Sequence, residues 1–412
     1  MFSRTIQLYK NAYSGLSINS WYLCLVMFIN RSGTVVIMFM TIYCTQKLHF
    51  TVEQAGIIMG LFGIGSLCGA YIGGALTDKY GFYYVQLLGL LVGGLLFLLL
   101  GFQKTFLSVG ICAFVLNMCN DAFRPANSTA VAHYSTDENL TRSNSLNRLA
   151  VNLGWAFGGL LGGTLARIDY HLLFWVDGST NILASLLLLK LLPFSKVTKS
   201  IKKTAERIKG PSAYRDKVYL VFIGMLILFA LCFFQIFTMQ PLFYKSQWHI
   251  SVQLIGLLMG INGLLIVFFE MLIVHNLEGK RHPLRYIYIG MLITGFGFVL
   301  LNFLPASYYS ALLVLLFITL GEMLSMPFMN SFWIMRSTTQ NRGEYAALYA
   351  MGWSAASIMS PIIGGQVITY VSFNLLWWLT GAICLAASIG IVLLYRFSVK
   401  KTIAVPIEET VF

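Results

Sequence analysis

The stretch Val52-Glu-Gln-Ala-Gly-Ile-Ile-Met-Gly60 recurs 200 residues later in the chain as Val252-Gln-Leu-Ile-Gly-Leu-Leu-Met-Gly260. A second region repeats at a displacement of 202 residues, where Pro125 meets Pro327 and the pair Gly162-Gly163 meets Gly364-Gly365. A chance similarity between glycine-rich segments is the alternative, but two separate regions agree within two residues. The repeat therefore predicts two copies of one structural unit.

The composition around the repeat is that of a membrane protein. Of the 412 residues, 58% are hydrophobic and 10% are charged, and the mean hydropathy is +0.75. Because a transmembrane helix needs about 20 apolar residues, the hydrophobic runs predict twelve helices. The predicted spans are residues 19–44, 53–77, 82–101, 105–132, 143–168, 172–193, 217–243, 252–276, 284–303, 307–335, 343–370 and 373–396.

The longest polar connection, Ser195 to Lys217, carries eight Lys and Arg residues and divides the predicted helices six and six. The predicted domains are an N-terminal six-helix bundle at 1–194, a basic cytoplasmic linker at 195–216 and a C-terminal six-helix bundle at 217–412. The predicted fold class is an all-α membrane protein whose two bundles are related by a pseudo-two-fold axis. Such symmetry usually supports a substrate site near the bilayer midplane, where the repeats meet.

Lys and Arg are distributed unequally between the two faces of the predicted membrane domain. If both termini are cytoplasmic, 20 of the 28 Lys and Arg residues lie in cytoplasmic segments and four lie on the opposite face. The positive-inside rule therefore predicts that both termini are cytoplasmic. The remaining four cations lie within predicted spans, and they are Arg31, Arg124, Arg148 and Lys190.

Several functional classes are excluded by the residue pattern. The net charge of +13 does not indicate nucleic acid, because the basic residues occupy short loops between apolar spans. The seven cysteines lie in apolar spans without a CxxC pair, which predicts free thiols and no metal site. We find no HExxH spacing, no nucleophile and base, no nucleotide motif and no ring of like charges. We therefore expect neither an enzyme, nor a channel, nor a bound cofactor.

A row of polar residues interrupts the predicted fourth span, at Asn117-Met-Cys-Asn-Asp-Ala-Phe-Arg-Pro-Ala-Asn127. At helical spacing Asn117, either Asn120 or Asp121, and Arg124 share one face with Asn127. An ionised side chain near the bilayer centre costs at least about 2.5 kcal/mol, so this face is expected to avoid lipid. We predict that it lines a solute path. An ion pair that only holds helices together is the alternative.

Polar residues of other spans extend this candidate site. The predicted substrate-binding residues are Arg31, Asn117, Arg124, Arg148, Gln235 and Asn330. Arginine keeps its charge at accessible pH, so these guanidinium groups either hold an anionic group or tune nearby acids. The predicted proton-coupling residues are the acids Asp121, Glu322 and Glu270, although Glu270 can equally be a structural group. Asp121 is expected to pair with Arg31 or Arg148, and Asp177 to be a helix-entry acid.

The loop between the second and third spans carries a family resemblance. Gly74-Ala-Leu-Thr-Asp-Lys-Tyr-Gly81 resembles the signature loop of the major facilitator superfamily, although Phe82 and Tyr83 follow where the family usually has Arg. The span count, the repeat and the central basic loop extend this resemblance over the whole chain. In the family, the acid of this loop is thought to latch the outward-open state. The resemblance therefore implies a conformational role for Asp78, with Gly74 and Gly81, and a turn acid is the alternative.

The fifth span resembles one branch of this superfamily, the drug and proton antiporters. Its run Leu153-Gly-Trp-Ala-Phe-Gly-Gly-Leu-Leu-Gly-Gly163 is similar to their glycine-rich motif, with Gly159 where a proline is usual. The resemblance implies that Gly158 and Gly162 are conformational residues. However, the eleventh span repeats the theme at Ser360-Pro-Ile-Ile-Gly-Gly365, so simple helix packing is the alternative.

In this superfamily the first, fourth, seventh and tenth helices line the cavity, which implies that Arg31, Asp121, Arg124, Gln235 and Glu322 lie there. We predict a secondary active transporter that moves a small organic solute by alternating access, as a proton-coupled exporter of drugs or metabolites. The alternative is a proton symporter that imports a charged nutrient such as a peptide, sugar or organic acid. The expected location is a bacterial cytoplasmic (inner) membrane, and the expected partners are the solute, protons and lipid, with the protein as a monomer.

Overall fold

The computed structural model describes residues 15–136, 140–194, 212–277, 279–337 and 341–403. Within these ranges the architecture is helical throughout, which confirms the predicted all-α class. The α-helices are α1 (Ile18–Ser32), α2 (Val36–Gln46), α3 (Val52–Tyr80), α4 (Phe82–Leu100), α5 (Phe106–Asp121), α6 (Phe123–His133), α7 (Leu140–Ile168), α8 (His171–Leu191), α9 (Lys217–Phe233), α10 (Met239–Ser246), α11 (Val252–Leu277), α12 (Pro283–Leu300), α13 (Tyr308–Arg336), α14 (Arg342–Tyr370) and α15 (Phe373–Ile403).

These helices build the predicted membrane spans. The described residues contain twelve helical stretches that are long and apolar enough to cross a bilayer, and their ends fall within three residues of the predicted ones. The predicted and observed spans agree because the hydrocarbon core of the bilayer restricts the chain strongly. Every segment that crosses it must satisfy its backbone hydrogen bonds internally and be predominantly apolar along its length. The central basic linker at 195–211 lies outside the described residues.

Among the described residues, three spans are interrupted helices. The first span breaks between α1 and α2 at residues 33–35, and the fourth breaks between α5 and α6 at Ala122. The seventh passes through a short 3-10 turn, Phe234–Ile236, between α9 and α10. The first and seventh spans occupy equivalent positions in the repeat and break at equivalent points. Each break leaves backbone N–H and C=O groups without helical partners, so side chains must supply them.

Several helix ends follow ordinary capping chemistry. Thr51 and Gln54 form a reciprocal capping box at the start of α3, in which each side chain accepts the backbone N–H of the other residue. The helix α3 ends at Gly81, whose φ of +89° favours glycine because it has no Cβ. Gly81 is therefore the single residue that connects the second span to the third.

The chain separates into two compact units. The first contains residues 1–202, 237–267 and 361–369, and the second contains 203–236, 268–360 and 370–412. The core of the first unit packs α1 against α4, α6 and α8, with Leu23, Phe123 and Leu188 almost fully buried. In the second unit, the rings of Phe298 in α12 and Trp377 in α15 stack with their centroids 5.8 Å apart.

Glycines allow helices of the first unit to approach closely. A Cβ added at Gly65, Gly69 or Gly73 of α3 would lie 2.3 to 2.5 Å from backbone atoms of the fourth span. The two backbones therefore touch directly along three turns, which is the contact that small residues four apart permit. This contact fixes the fourth span, and with it Asp121, against the second.

Candidate functional site

The break in the first span is closed by an acid from the sixth. Asp177 is fully buried in α8, and its two carboxylate oxygens accept the backbone N–H groups of Val35 and Val36, each at 2.9 Å. These N–H groups open α2, where the helix dipole favours a negative charge. The expectation that Asp177 serves the entry of its own helix is wrong, because its carboxylate completes a helix from another span.

A second polar contact joins the same two spans. The Asn30 side-chain amide donates to Asn181 Oδ1 at 2.9 Å, and the Asn181 amide donates to the carbonyl of Asp177 at 2.8 Å. All three residues are buried. Because a broken hydrogen bond here would leave a polar group in hydrocarbon, this network holds the broken helix in one geometry.

Asp121 lies at the break in the fourth span. Its side chain is nearly buried, accepts a hydrogen bond from Ser66 of α3, and forms an ion pair with Arg124 Nε at 3.3 Å. The Arg124 side chain is 58% exposed. Asp121 thus pairs with its neighbour three residues along the chain, and the expected pair with Arg31 does not form. The short spacing in sequence explains this choice, since no other element has to move.

The predicted polar row divides at this break. Asn117 donates to the carbonyl of Phe62 in α3 at 2.8 Å, on the side of the helix that carries Asp121. Asn127 is buried on another side, where it accepts from Gln86 at 3.3 Å and donates to Asn147 at 3.2 Å. The prediction of one continuous polar face is therefore wrong at Asn127, because the interruption at Ala122 separates α5 from α6.

Arg31 lies in the last turn of α1, directly before the first break. Its side chain is half-buried, and its buried Nε has no hydrogen-bond partner in the structure. The charges that act on it are those of Arg124 and Asp121. Three of the predicted residues are thus brought together in the first unit. Arg148, in α7, is exposed.

The predicted residues of the second unit occupy two helices, α11 and α13, and the turn after α9. Gln235 is buried in the 3-10 turn of the seventh span and donates to the carbonyl of Ser360 at 2.9 Å. Asn330 in α13 accepts from the indole N–H of Trp333 at 3.1 Å. Glu322 is half-buried in α13, and Glu270 is 9% exposed in α11.

The glycines of the fifth span pack against two other spans, the first and the eighth. A Cβ at Gly154 would lie 2.4 Å from the Cβ of Arg31, and one at Gly162 would lie 2.5 Å from Val35, so both press on the broken first span. Gly158 faces the same span at a looser 3.4 Å. Gly159 and Gly163 instead meet the backbone of Gly260 and Gly256 in α11 at 2.8 to 2.9 Å.

Two glycines of the signature loop, Gly74 and Gly81, lie among the described residues. A Cβ at Gly74 would meet nothing within 4 Å, so this position needs no glycine for packing. Gly81 ends α3 with a positive φ, as described above. The side chain of Asp78 lies outside the described residues, and its conformational role stays a prediction.

An ionic cluster that the sequence reasoning missed joins three helices of the second unit. Asp216 caps α9 by accepting the N–H groups of Val218 and Tyr219. Its carboxylate also accepts from Arg336 Nη2 at 2.7 Å, at the end of α13, and from the Tyr345 hydroxyl at 2.7 Å, in α14. We call Asp216, Arg336 and Tyr345 the ionic clasp. Only its capping position before an apolar run marked Asp216 in the sequence.

The repeat provides a neutral counterpart of the ionic clasp in the first unit. Ser17 caps α1, and its hydroxyl donates to the carbonyl of Tyr134 at the end of the fourth span, at 2.7 Å. Ser17 and Tyr134 precede Asp216 and Arg336 by 199 and 202 residues. The two copies thus tie the same helix ends together, one with a hydroxyl and the other with charges.

The ionic clasp determines the titration of Asp216. Burial acts to raise the pKa of the carboxyl, but hydrogen bonds from Arg336, Tyr345 and the Tyr219 amide, together with the charge of Arg336, outweigh it. The net result is that the pKa of Asp216 lies below its usual value. The carboxylate is therefore ionised throughout the physiological pH range.

The described residues contain no group of three or more His, Cys, Asp or Glu side chains that could hold a metal ion. The seven cysteines are free thiols. The site is therefore made of arginines, a carboxylate and amides, which is chemistry suited to binding a solute or a proton.

Comparison with known proteins identifies the family. Residues 23–336 match the family model described as Major Facilitator Superfamily. The chain belongs to the major facilitator superfamily. As a member of this superfamily it is a secondary transporter of a small-molecule solute, not an enzyme, and an integral membrane protein with twelve spans.

Curated relatives of the chain within the major facilitator superfamily carry the names of resistance proteins. The chain is 24% identical over 341 residues to the tetracycline resistance protein, class H, of Pasteurella multocida, covering 80% of this chain and 84% of that protein. It is 22% identical over 354 residues to multidrug resistance protein 1 of Bacillus subtilis (strain 168), covering 83% and 87%.

A solved structure agrees with the fold. The crystal structure of a POT family transporter in complex with 5-aminolevulinic acid superposes with a TM-score of 0.78 at 15% identity, covering 95% of this chain and 98% of that one. This likeness establishes that the chain has the twelve-span fold of the major facilitator superfamily.

Proposed function

We propose that the protein is a proton-coupled exporter that moves drugs or metabolites out of the cell by alternating access. One observation carries this proposal. A nearly buried carboxylate, Asp121, lies at an interrupted helix in the membrane with a hydroxyl donor and a partly exposed guanidinium beside it. Such a carboxylate can bind a proton in one state and release it in another.

The neighbours of Asp121 suggest how coupling works. Arg124 Nε lies 3.3 Å from the Asp121 carboxylate, and we propose that this pair separates in the step in which Asp121 takes up a proton. The break at Ala122 lies between the two residues and is the point where the fourth span can bend. Glu322 and Glu270 are the other proposed proton carriers, and the solute is proposed to contact Arg31, Asn117, Arg124, Arg148, Gln235 and Asn330.

The resistance proteins among the curated relatives support export over import. The glycine contacts of the fifth span support a conformational role for this helix, since Gly154 and Gly162 press on the first span and Gly163 on the eighth. We propose that Asp78, Gly74, Gly81, Gly158 and Gly162 contribute to switching between states.

The charge distribution supports an orientation. We propose that both termini are cytoplasmic, that the membrane is the bacterial cytoplasmic (inner) membrane, and that the protein is a monomer. The functional halves are proposed to be residues 1–194 and 217–412, joined by the basic linker at 195–216.

The test is a flux assay in proteoliposomes with an imposed pH gradient, run separately with a cationic probe, ethidium, and an anionic probe, 2-naphthylphosphonate. Asp121→Asn is expected to reduce proton-driven flux by at least about 100-fold, which is the usual range for removing a proton-transfer group. Glu322→Gln tests the second carrier. Asp169→Asn, at an exposed position between the fifth and sixth spans, is the matched control and should leave the flux unchanged.

If Asp121→Asn and Glu322→Gln both retain the full proton-driven flux, neither acid is the proton carrier. If the wild-type protein moves no probe in response to the gradient, proton-coupled export itself is wrong.

Proton-coupled import of a charged nutrient is the second candidate. The specific observation in its favour is Arg31, a half-buried cation whose Nε has no hydrogen-bond partner in the structure. An exporter of neutral or cationic drugs has no evident use for such a group. The direction in which the gradient drives flux separates the two candidates.

A further inference from the structure

The guanidinium group of Arg31 has a buried nitrogen, Nε, that forms no hydrogen bond with the described part of the protein. Arg31 lies in the last turn of α1, and its side chain is half-buried. No ion pair is formed by Arg31 within the described ranges, and its buried Nε makes no hydrogen bond. A desolvated cation of this kind costs free energy unless an anion or hydrogen-bond acceptors replace its water.

The nearby acid does not supply that anion. Asp121 already accepts from Ser66 with one oxygen and from Arg124 with the other. The carboxylate of Asp121 and the guanidinium of Arg124 lie near enough to act on the charge of Arg31. These three side chains carry two positive charges and one negative charge, and the Arg124 side chain is 58% exposed, so an anion can reach it.

The position of Arg31 is fixed by the fifth span. A Cβ at Gly154 would lie 2.4 Å from the Cβ of Arg31 and 2.9 Å from its carbonyl carbon, so the backbone of α7 lies directly against this residue. The break that follows Arg31 is held by Asp177. The backbone of Arg31 thus has close neighbours on both sides, which limits the positions that its guanidinium group can reach.

We infer that the transported solute carries an anionic group, a carboxylate or a phosphate-type oxyanion, which Arg31 holds with the help of Arg124. The inference rests on the proposed function and names the class of its solute. Planar guanidinium groups bind such oxyanions through paired N–H donors, which gives both strength and orientation. The bound anion restores charge balance to the two arginines and Asp121.

The experiment measures binding with probes that differ only in charge. The purified full-length protein, in nanodiscs of zwitterionic lipid, is heated with 2-naphthoate, 2-naphthylphosphonate, 2-naphthamide or 2-naphthylmethylammonium. Ligands that bind the folded state raise the apparent Tm by mass action. The two anions are expected to raise it, and the amide and the ammonium are not. Adding nanodiscs with phosphatidylglycerol shows whether a lipid headgroup competes for the same arginine.

Variants assign the effect to Arg31. Arg31→Gln is expected to weaken binding of both anions by about tenfold or more, since a charged hydrogen bond is lost. Arg31→Lys should keep part of the affinity because the charge remains. Arg396→Gln removes an exposed cation at the end of the twelfth span and should bind the anions as the wild type does.

The outcomes separate this inference from the proposed function. Equal shifts with the amide or the ammonium, or unchanged anion affinity in Arg31→Gln, overturn the anionic class. If ethidium then still moves under a pH gradient, export stands without it. If no probe moves under the gradient but the anions still bind through Arg31, the solute class stands and the proposed export fails.

Discussion

At the scale of single residues, the buried acids of this protein differ in what their oxygens contact. Both oxygens of Asp177 accept backbone N–H groups of α2, so this carboxylate is committed to structure. Asp121 accepts from two side chains, Ser66 and Arg124, and both can move away. Because only side-chain partners can be exchanged without unfolding a helix, Asp121 is the acid that we propose for proton coupling.

The ionic clasp gives a pH dependence that can be measured. The pKa of Asp216 lies below its unfolded value of about 3.9, so its stabilising effect is complete above that value and is lost as the pH falls through the folded pKa. At neutral pH, Asp216→Asn should cost about 1 kcal/mol, because Arg336 is partly exposed and solvent screens the pair. Thermal unfolding followed by far-UV circular dichroism measures this cost.

The control for this prediction comes from the other copy. Ser17→Ala removes a cap and a neutral hydrogen bond at the equivalent helix end, and should cost about 1 kcal/mol at every pH. The difference between Asp216→Asn and wild type should shrink as the pH falls below about 4 and through the folded pKa of Asp216, because the protonated acid is then uncharged like asparagine. A difference that stays constant over this range would contradict the role given to Asp216.

The sequence identified the charged residues of the candidate site, but it did not identify the side chains and backbone groups that they contact. It singled out Asp121, Arg31 and Arg124 because charged side chains are costly in a membrane span. It did not find Ser66 as the partner of Asp121, since a serine among apolar residues carries no signal of its own. It also assigned Asp177 to its own helix, because the contact with Val35 depends on how two distant spans pack.

At the scale of elements, glycines decide which helices touch. Gly163 in α7 and Gly256 in α11 lie so close that a Cβ on either would stand 2.5 to 2.9 Å from the backbone of the other span. Gly56 in α3 has a similar relation to the carbonyl of Pro361 in α14. These contacts join segments from both copies of the repeat within the first compact unit.

A matched pair of alanine substitutions tests the packing. Gly163→Ala places a methyl group 2.8 Å from the Gly256 Cα and should cost about 1–3 kcal/mol through overpacking, with reduced transport. Gly224→Ala introduces the same group in the seventh span where nothing lies within 4 Å, and should be neutral or stabilising by up to about 1 kcal/mol. Apparent Tm and proton-driven flux are the measurements, and equal effects of the two variants would refute this account.

The sequence predicted that the twelve spans are helices, but it did not predict where those helices are interrupted. Twelve apolar runs of sufficient length predict twelve spans in only one way, because a bilayer admits few other structures. The breaks at residues 33–35 and at Ala122 carry weak signals, since Gly33 is one glycine among 37. Their stability depends on contacts such as that of Asp177, which lie far away in the chain.

At the scale of the whole molecule, the orientation in the membrane is open to direct measurement. Lys47→Cys and Lys104→Cys place thiols at exposed positions predicted to face outward, and Lys280→Cys places one at an exposed position predicted to face the cytoplasm. In intact cells, a membrane-impermeant maleimide should label the first two and leave the third unlabelled until the cells are permeabilised. The reverse labelling pattern would invert the topology and require all directions of transport to be reassigned.

The helix ends tied by Ser17 in one copy and by Asp216 in the other have a consequence for the history and the engineering of this chain. If the two copies arose by duplication, they have diverged here, because the contact in the second copy is ionic and should weaken with ionic strength, whereas the neutral hydrogen bond of Ser17 should not. Concentrated salt should therefore weaken the ionic clasp in the second copy and leave the hydrogen bond between Ser17 and Tyr134 in the first copy unchanged. Building an ionic clasp into the first copy, or a serine hydroxyl contact into the second, would give a transporter in which both copies respond to salt in the same way.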